Sequence, residues 1–213
     1  MHVTLLPRSQ ERILRLIYTN PGIRMNELVS RASVSVATAT KRLAYLLAMN
    51  VITEERITGG KRVLLRMFYP DLESEEGRSV FALLESERRH EFLEGNPELT
   101  GPFAQLTRNL PDAVRIVLVF GSFADGSRTE GSDLDILFLT DGDVDRERLR
   151  KEVERSFATF PHEVSPRIDT IDMYRDKRGM GIYGAIRRNH VIITGCLSYV
   201  SEAIGVHDLV ASV

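Results

Sequence analysis

A single cysteine in 213 residues, Cys196, has no partner, so the chain can build neither an internal disulfide nor a cysteine zinc site. Long apolar runs are also missing. The longest, around Ile116 to Phe120, falls far short of the ~20 residues a membrane helix needs. Residues 1–12, MHVTLLPRSQER, lack a basic stretch followed by an apolar segment and a small-residue cleavage site, the pattern of a leader. His2, His90, His162, His190 and His207 are scattered without metal-ligand spacing. Together these absences exclude a secreted disulfide scaffold and a cysteine zinc site, leave the histidines as surface or packed residues, and lead to the expectation of a soluble, cytoplasmic protein.

A large net charge is missing too, but the near-neutral total hides a division. Of 28 Lys/Arg and 30 Asp/Glu, residues 1–70 hold eleven of the bases and only four of the acids, net +7. The remainder carries 17 bases and 26 acids, net −9. A basic front and an acidic back point to two modules with different partners, the front one polyanionic.

The front reads as three helices and a hairpin. Residues 9–20 carry Ile13, Leu14, Leu16 and Ile17 at helical spacing, with Ser9 as N-cap and Pro21-Gly22 as the stop. An extended pair, Ile23 and Met25, leads to Asn26, which can cap a second helix. After a turn at residues 32–35, Ser35 can cap a third helix over 36–49, with Ala39, Leu43, Leu46 and Leu47 inward. Asn50 follows where a helix exit favours the left-handed conformation. Residues 51–70 then read as two strands around Thr58-Gly59-Gly60-Lys61. This order resembles a winged helix-turn-helix, and VSVATATKRLAYLLAMNVI is similar to the recognition-helix segment of MarR/ArsR-like regulators. The resemblance implies duplex DNA as partner. Ser35, Thr38, Thr40, Lys41 and Arg42 would face the major groove, with Arg56, Lys61 and Arg62 on the wing. The front lacks the exposed aromatics that stack on single strands, so RNA is the less favoured polyanion.

Residues 71–110 form an acidic, helical connector. Ser74 and Gly77 open it, Val80, Phe81, Leu83, Leu84, Phe92 and Leu93 make an apolar stripe, and Asn96-Pro97 breaks it before a short helix near 103–110. Either the stripe packs within the chain or it joins two copies, since regulators of this type read two half-sites as a symmetric homodimer.

The back, residues 111–213, carries the chemistry. AVRIVLVF, a buried-strand composition, ends at Gly121-Ser122; ten residues later Asp133-Leu134-Asp135 opens a second apolar run. A strand alternates sides, so both aspartates face one way, about 7 Å apart along the chain, and can hold Mg²⁺ in an oxygen shell. Gly121 lets backbone approach a phosphate, and Ser122 adds a hydroxyl. GSFADGSRTEGSDLDILFL is similar to the GS-x10-D-x-D signature of minimal nucleotidyltransferases of the DNA polymerase β superfamily. That resemblance covers roughly residues 110–195. It implies a small mixed sheet with flanking helices, and transfer of a nucleoside monophosphate from an NTP to a hydroxyl of a protein or small molecule. By the same resemblance Gly121 and Ser122 grip the triphosphate and Asp133 and Asp135 ligate Mg²⁺; within the loop, Arg128, as a source of positive charge, and Ser132 are further candidate nucleotide contacts.

Two departures bear on activity. Asp125 stands where many relatives place a basic residue. The family also needs a third carboxylate on the later strand. In HEVSPRIDT, Glu163 and Asp169 share a parity, and Asp169 is the choice, with Pro166 disfavouring a regular central ladder and Asp172 capping the next helix. The expected class is α+β: an N-terminal winged helix-turn-helix, a helical connector, and a C-terminal nucleotidyltransferase-like mixed β-sheet with flanking helices. Such a pairing resembles a type of regulator fusion known mainly among archaea. The alternative to a transferase is a dimeric regulator whose back domain senses nucleotide or is inactive.

Overall fold

The computed structural model describes residues 6–59, 62–177 and 180–204. These divide into two compact units that meet in sequence at Leu84 and Glu85, the second running Glu85–Ala203. Lys61, expected on the wing, and His207 lie outside the described residues.

In the first unit α1 (Arg8–Thr19), β1 (Ile23–Arg24), α2 (Met25–Ala32) and α3 (Val36–Ala48) precede a hairpin of β2 (Ile52–Gly59) and β3 (Arg62–Pro70). The sheet order is β1-β3-β2, antiparallel throughout. Ile13, Leu14, Ile17, Leu28, Leu43 and Phe68 close the core, the residues that the 3.6 and 2.0 periodicities place inward. Two expected caps are corrected. Pro7, not Ser9, precedes α1, and α2 begins at Met25 with Asn26 inside it, because pairing of Ile23 and Arg24 with β3 ends at Arg24. Ser35 does cap α3, its Oγ accepting from the Thr38 amide at 3.1 Å, and Asn50 exits the helix at φ +53°.

The connector is the helix α4 (Glu75–Gly95), a 3-10 turn at Pro97–Leu99, and α5 (Thr100–Arg108). Of its apolar stripe Phe81, Leu84 and Phe92 are buried within the chain, while Val80, Leu83 and Leu93 are half-buried. Phe81 stacks on Tyr18 at 4.9 Å, and Phe92 joins the core of the second unit.

The second unit is a four-stranded sheet of β4 (Val114–Phe120), β5 (Leu134–Thr140), β6 (Val164–Thr170) and β7 (His190–Thr194) in the order β6-β5-β4-β7. The β5–β6 pair is parallel, which requires a crossover, and α7 (Arg146–Ser156) supplies it. Ile136, Phe138, Val117, Val119, Val191 and Ile193 meet α5 and α7 on one face. The alternate residues form the other face, toward α8 (Ile171–Asp176), α9 (Gly181–Arg188) and the final turn at Tyr199–Ala203. Pro166 sits comfortably because β6 is an edge strand, where a missing N–H breaks no central ladder. Thr170, not Asp172, caps α8 by accepting from the Met173 amide at 3.1 Å. No helix among the described residues is long and apolar enough to cross a membrane.

Candidate functional site

The two halves of the GS…D-x-D pattern meet at one end of the second sheet. β4 and β5 are antiparallel with Phe120 opposite Asp135, so the residue after Phe120 must turn beside that carboxylate. Gly121 makes the turn at φ +70° and ψ −152°, a conformation essentially reserved for glycine. A Cβ there would lie 2.5 Å from Asp135 Oδ2. The backbone conformation thus calls for glycine, and any Cβ would also oblige the Asp135 carboxylate to shift. Ser122 begins the single-turn helix α6 (Ser122–Asp125), whose Ala124 and Asp125 amides donate to the Gly121 carbonyl at 3.0 and 3.1 Å.

Asp133 is exposed and Asp135 half-buried. Burial, and then the charge of Asp133, push the Asp135 carboxyl above its ordinary value. A half-buried acid held beside a second acid suits an incoming cation. Two carboxylates make an incomplete all-protein cage, and among the described residues no group of three or more His, Cys, Asp or Glu could hold a metal ion. The pair does fit Mg²⁺, which takes one or two carboxylates together with substrate phosphates.

The loop that joins these halves is internally tied. Asp125 Oδ1 accepts from the Ser127 amide at 2.9 Å and the Ser127 hydroxyl at 2.6 Å, bonds that lower its pKa. Asp125 therefore builds the turn that its position in the motif left unexplained. Ser132 Oγ accepts from the Thr129 amide at 2.8 Å and closes the far end of the loop, where a nucleotide contact was expected. Arg128, expected to meet a triphosphate, instead pairs with Glu98 at 2.8 Å and lies over the Phe123 ring at 5.0 Å. The bond from Arg128 is the main cause holding the Glu98 carboxyl below its usual value.

The structure sets Asp169, the expected third acid, apart from Asp133 and Asp135. It pairs with Leu139, four residues along from Asp135, about 13 Å up the sheet at the rise of a strand. It is 7% exposed, and its Oδ2 accepts from Arg167 Nε at 2.8 Å and from the Tyr183 hydroxyl at 2.9 Å. The residue directly across from Asp135 is Ser165. Glu163 stands across from Asp133, since Leu134 N donates to the Glu163 carbonyl at 2.8 Å and Leu134 pairs with Val164. Parity alone found the right face, but only the register tells which end of the strand is used. A groove of about 510 Å³ runs beside these residues, between α7 and β6, and includes Phe157, His162, Glu163 and Ser165 in its lining. Burial pushes the Cys196 thiol up, which keeps it protonated and a poor nucleophile.

In the first unit Thr40 and Lys41 are exposed on α3, and so is the Tyr45 ring, against the expectation that this module shows no exposed aromatic, while Arg42 is half-buried. The Ser35 and Thr38 hydroxyls bond each other at 2.9 Å, so both are committed to the cap. On the wing Arg56 pairs with Glu54 at 2.7 Å, and Arg66 also bonds Glu54. Burial alone would raise the Glu54 pKa, but these two arginines prevail and lower it. Arg62 opens β3. Two residues escaped the sequence reading: Val36, which follows the Ser35 cap on the exposed side, and Glu98, whose approach to Arg128 leaves no local signal.

A MarR family domain matches residues 6–64, and the family described as polymerase beta, nucleotidyltransferase matches residues 105–195. One solved structure, "Crystal structure of the toxin-antitoxin with AMP-PNP", aligns at 13% identity and a TM-score of 0.36, over 47% of this chain and 78% of that one. No curated protein matches. The chain therefore joins a MarR family domain to a polymerase-β-type nucleotidyltransferase domain.

Proposed function

We propose that this is a duplex-DNA-binding regulator whose nucleotidyltransferase domain binds a Mg²⁺–nucleotide. The observation that carries the reading is the approach of the Gly121 backbone to the Asp135 carboxylate, close enough that a Cβ would stand 2.5 Å from Oδ2 and oblige the carboxylate to move. It joins a phosphate-gripping turn to a pair of cation-seeking acids. Gly121 and Ser122 receive the phosphates through backbone and hydroxyl donors. Asp133 and Asp135 hold Mg²⁺, which when bound neutralises charge on the nucleotide. DNA is met by α3 and the wing, and pairing of two copies presents two α3 helices to successive half-sites.

Nucleotide sensing is favoured over rapid transfer because Ser165, not an acid, lies across from Asp135, and Asp169 is tied to Arg167 and Tyr183. A second reading, transfer of a nucleoside monophosphate to a hydroxyl acceptor, has one observation in its favour. Glu163 is an exposed carboxylate across from Asp133 and can serve as the base that takes the acceptor proton. Incubation with α-labelled NTP and Mg²⁺ separates the two. Sensing predicts bound but unincorporated label; transfer predicts covalent label that disappears in both Asp135→Asn and Glu163→Gln. Neither binding nor incorporation would remove both readings.

A further inference from the structure

The surface of α3 is unlike an ordinary solvent-facing helix. Its sequence, VATATKRLAYLLA, contains no acid, and its core side is closed by Ala39, Leu43 and Leu46. At 100° per residue the opposite ridge consists of Ala37, Lys41 and Ala44, flanked by Thr40 and Tyr45, and all five are exposed. Val36, the first helical residue, is 62% exposed, though a β-branched apolar side chain gains nothing there from water or from helix propensity. The hydrogen-bonding groups at this end are already used: Ser35 and Thr38 cap the helix. What remains is a ridge of alanine methyl groups with one cation, bordered by the Thr40 hydroxyl and the Tyr45 ring, and beside it the exposed Val36 at the helix's first position, 100° round from Ala37, in a segment whose net charge is +7.

We infer that Val36 and Ala37 read the C5-methyl groups of thymines in the major groove, and that Lys41 donates to O6 and N7 of a neighbouring guanine. The inference deepens the DNA-binding reading and rests on it. Three physical reasons carry it. Alanine on the ridge lets the helix backbone approach base edges closely, whereas long side chains would hold it off. The only apolar group that a B-DNA major groove offers in its base code is the thymine methyl, and a bare methyl is the complement of exposed Val and Ala. Lys41 is the only charged side chain on that ridge, and guanine presents the two adjacent acceptors that a lysine ammonium prefers. The occupant is duplex DNA because the module is basic and α3 carries no acid to repel phosphates.

The test begins with selection of bound sites from a random duplex pool at low salt, using the full chain. Thymines in the enriched site are then replaced one at a time by deoxyuridine, which removes only the methyl group. For the wild-type chain, two neighbouring replacements should each weaken binding about four-fold, the equivalent of one buried methyl. Val36→Ala should be insensitive to one of these replacements and Ala37→Ser to the other, each with the salt dependence of wild type, since no phosphate contact is lost. Val36→Ala does not threaten folding, because alanine is the better helix former. Lys41→Ala should relax the guanine preference. Deoxyuridine replacement without effect, or an equal loss for Val36→Ala on thymine and deoxyuridine sites, overturns the inference while leaving DNA binding intact. No duplex bound at low salt would instead overturn the DNA-binding reading itself.

Discussion

Gly121→Ala strikes the point on which the nucleotide site depends, and its cost can be built from two separate contributions. The backbone at φ +70° and ψ −152° is strained for any residue with a Cβ, which costs about 1–3 kcal/mol. The new Cβ would also stand 2.5 Å from Asp135 Oδ2, so the carboxylate must retreat by roughly 1 Å to reach ordinary contact. For a unit of this size about 4 °C of melting temperature follows each kcal/mol, a drop of roughly 4–12 °C from strain alone. The displaced carboxylate has a separate effect, because Mg²⁺ demands near-ideal ligand geometry; affinity for Mg²⁺–nucleotide should fall at least about ten-fold. Calorimetric melting and titration with Mg²⁺–nucleotide measure the two. A double-mutant cycle isolates the contact: in an Asp135→Ala background the strain remains but the clash with the oxygen is gone. Coupling of roughly 0.5–3 kcal/mol is the expected result. Wild-type stability and affinity in Gly121→Ala, or a cost unchanged by Asp135→Ala, would refute the reasoning.

Other perturbations have equally definite outcomes. Because burial and Asp133 raise the folded-state pKa of Asp135, its ionised form is disfavoured on folding; the stability it contributes is present in acid and lost as pH rises through the folded value. Asp135→Asn should therefore melt higher than wild type at neutral pH, with the gain vanishing as pH falls below 3.8, the carboxyl's ordinary value. Arg128→Ala should cost about 1 kcal/mol through its partly exposed ion pair and its contact with Phe123, and should change nucleotide affinity less than about three-fold; a loss of ten-fold or more in a binding titration would return Arg128 to the triphosphate. Asp169→Asn removes an acceptor from Arg167 and Tyr183, so it should lower the melting temperature while leaving Mg²⁺ affinity unchanged, and a parallel loss of metal binding would restore Asp169 to the acidic site.

The sequence made the elements and the first two acids legible, because those depend on short-range regularity. Apolar runs at periods of two and 3.6 located β4, β5 and α3, and the glycine–serine turn with its two aspartates needed only a strand on either side. The third acid was not legible in the same way. Choosing between Glu163 and Asp169 requires the register of β6 on β5, and pairing of Asp135 with Ser165 is a tertiary fact. The Arg128–Glu98 pair was hidden for a similar reason: the two residues stand thirty positions apart, and nothing local in the loop announces the contact. The N-caps expected at Ser9, Asn26 and Asp172 each lie two residues earlier, at Pro7, Arg24 and Thr170, because the helices start sooner than the capping side chains suggested. The stripe on α4 announced burial without saying against what, and the chain itself supplies partners for Phe81 and Phe92.

The most direct test of the central claim is titration of the full chain with an NTP, with and without Mg²⁺, beside Asp135→Asn. Saturable binding that requires Mg²⁺ and is lost in Asp135→Asn is the predicted result. Binding that is indifferent to Mg²⁺ or survives that substitution, or no binding by the wild-type chain, would contradict the site built from Gly121, Ser122, Asp133 and Asp135.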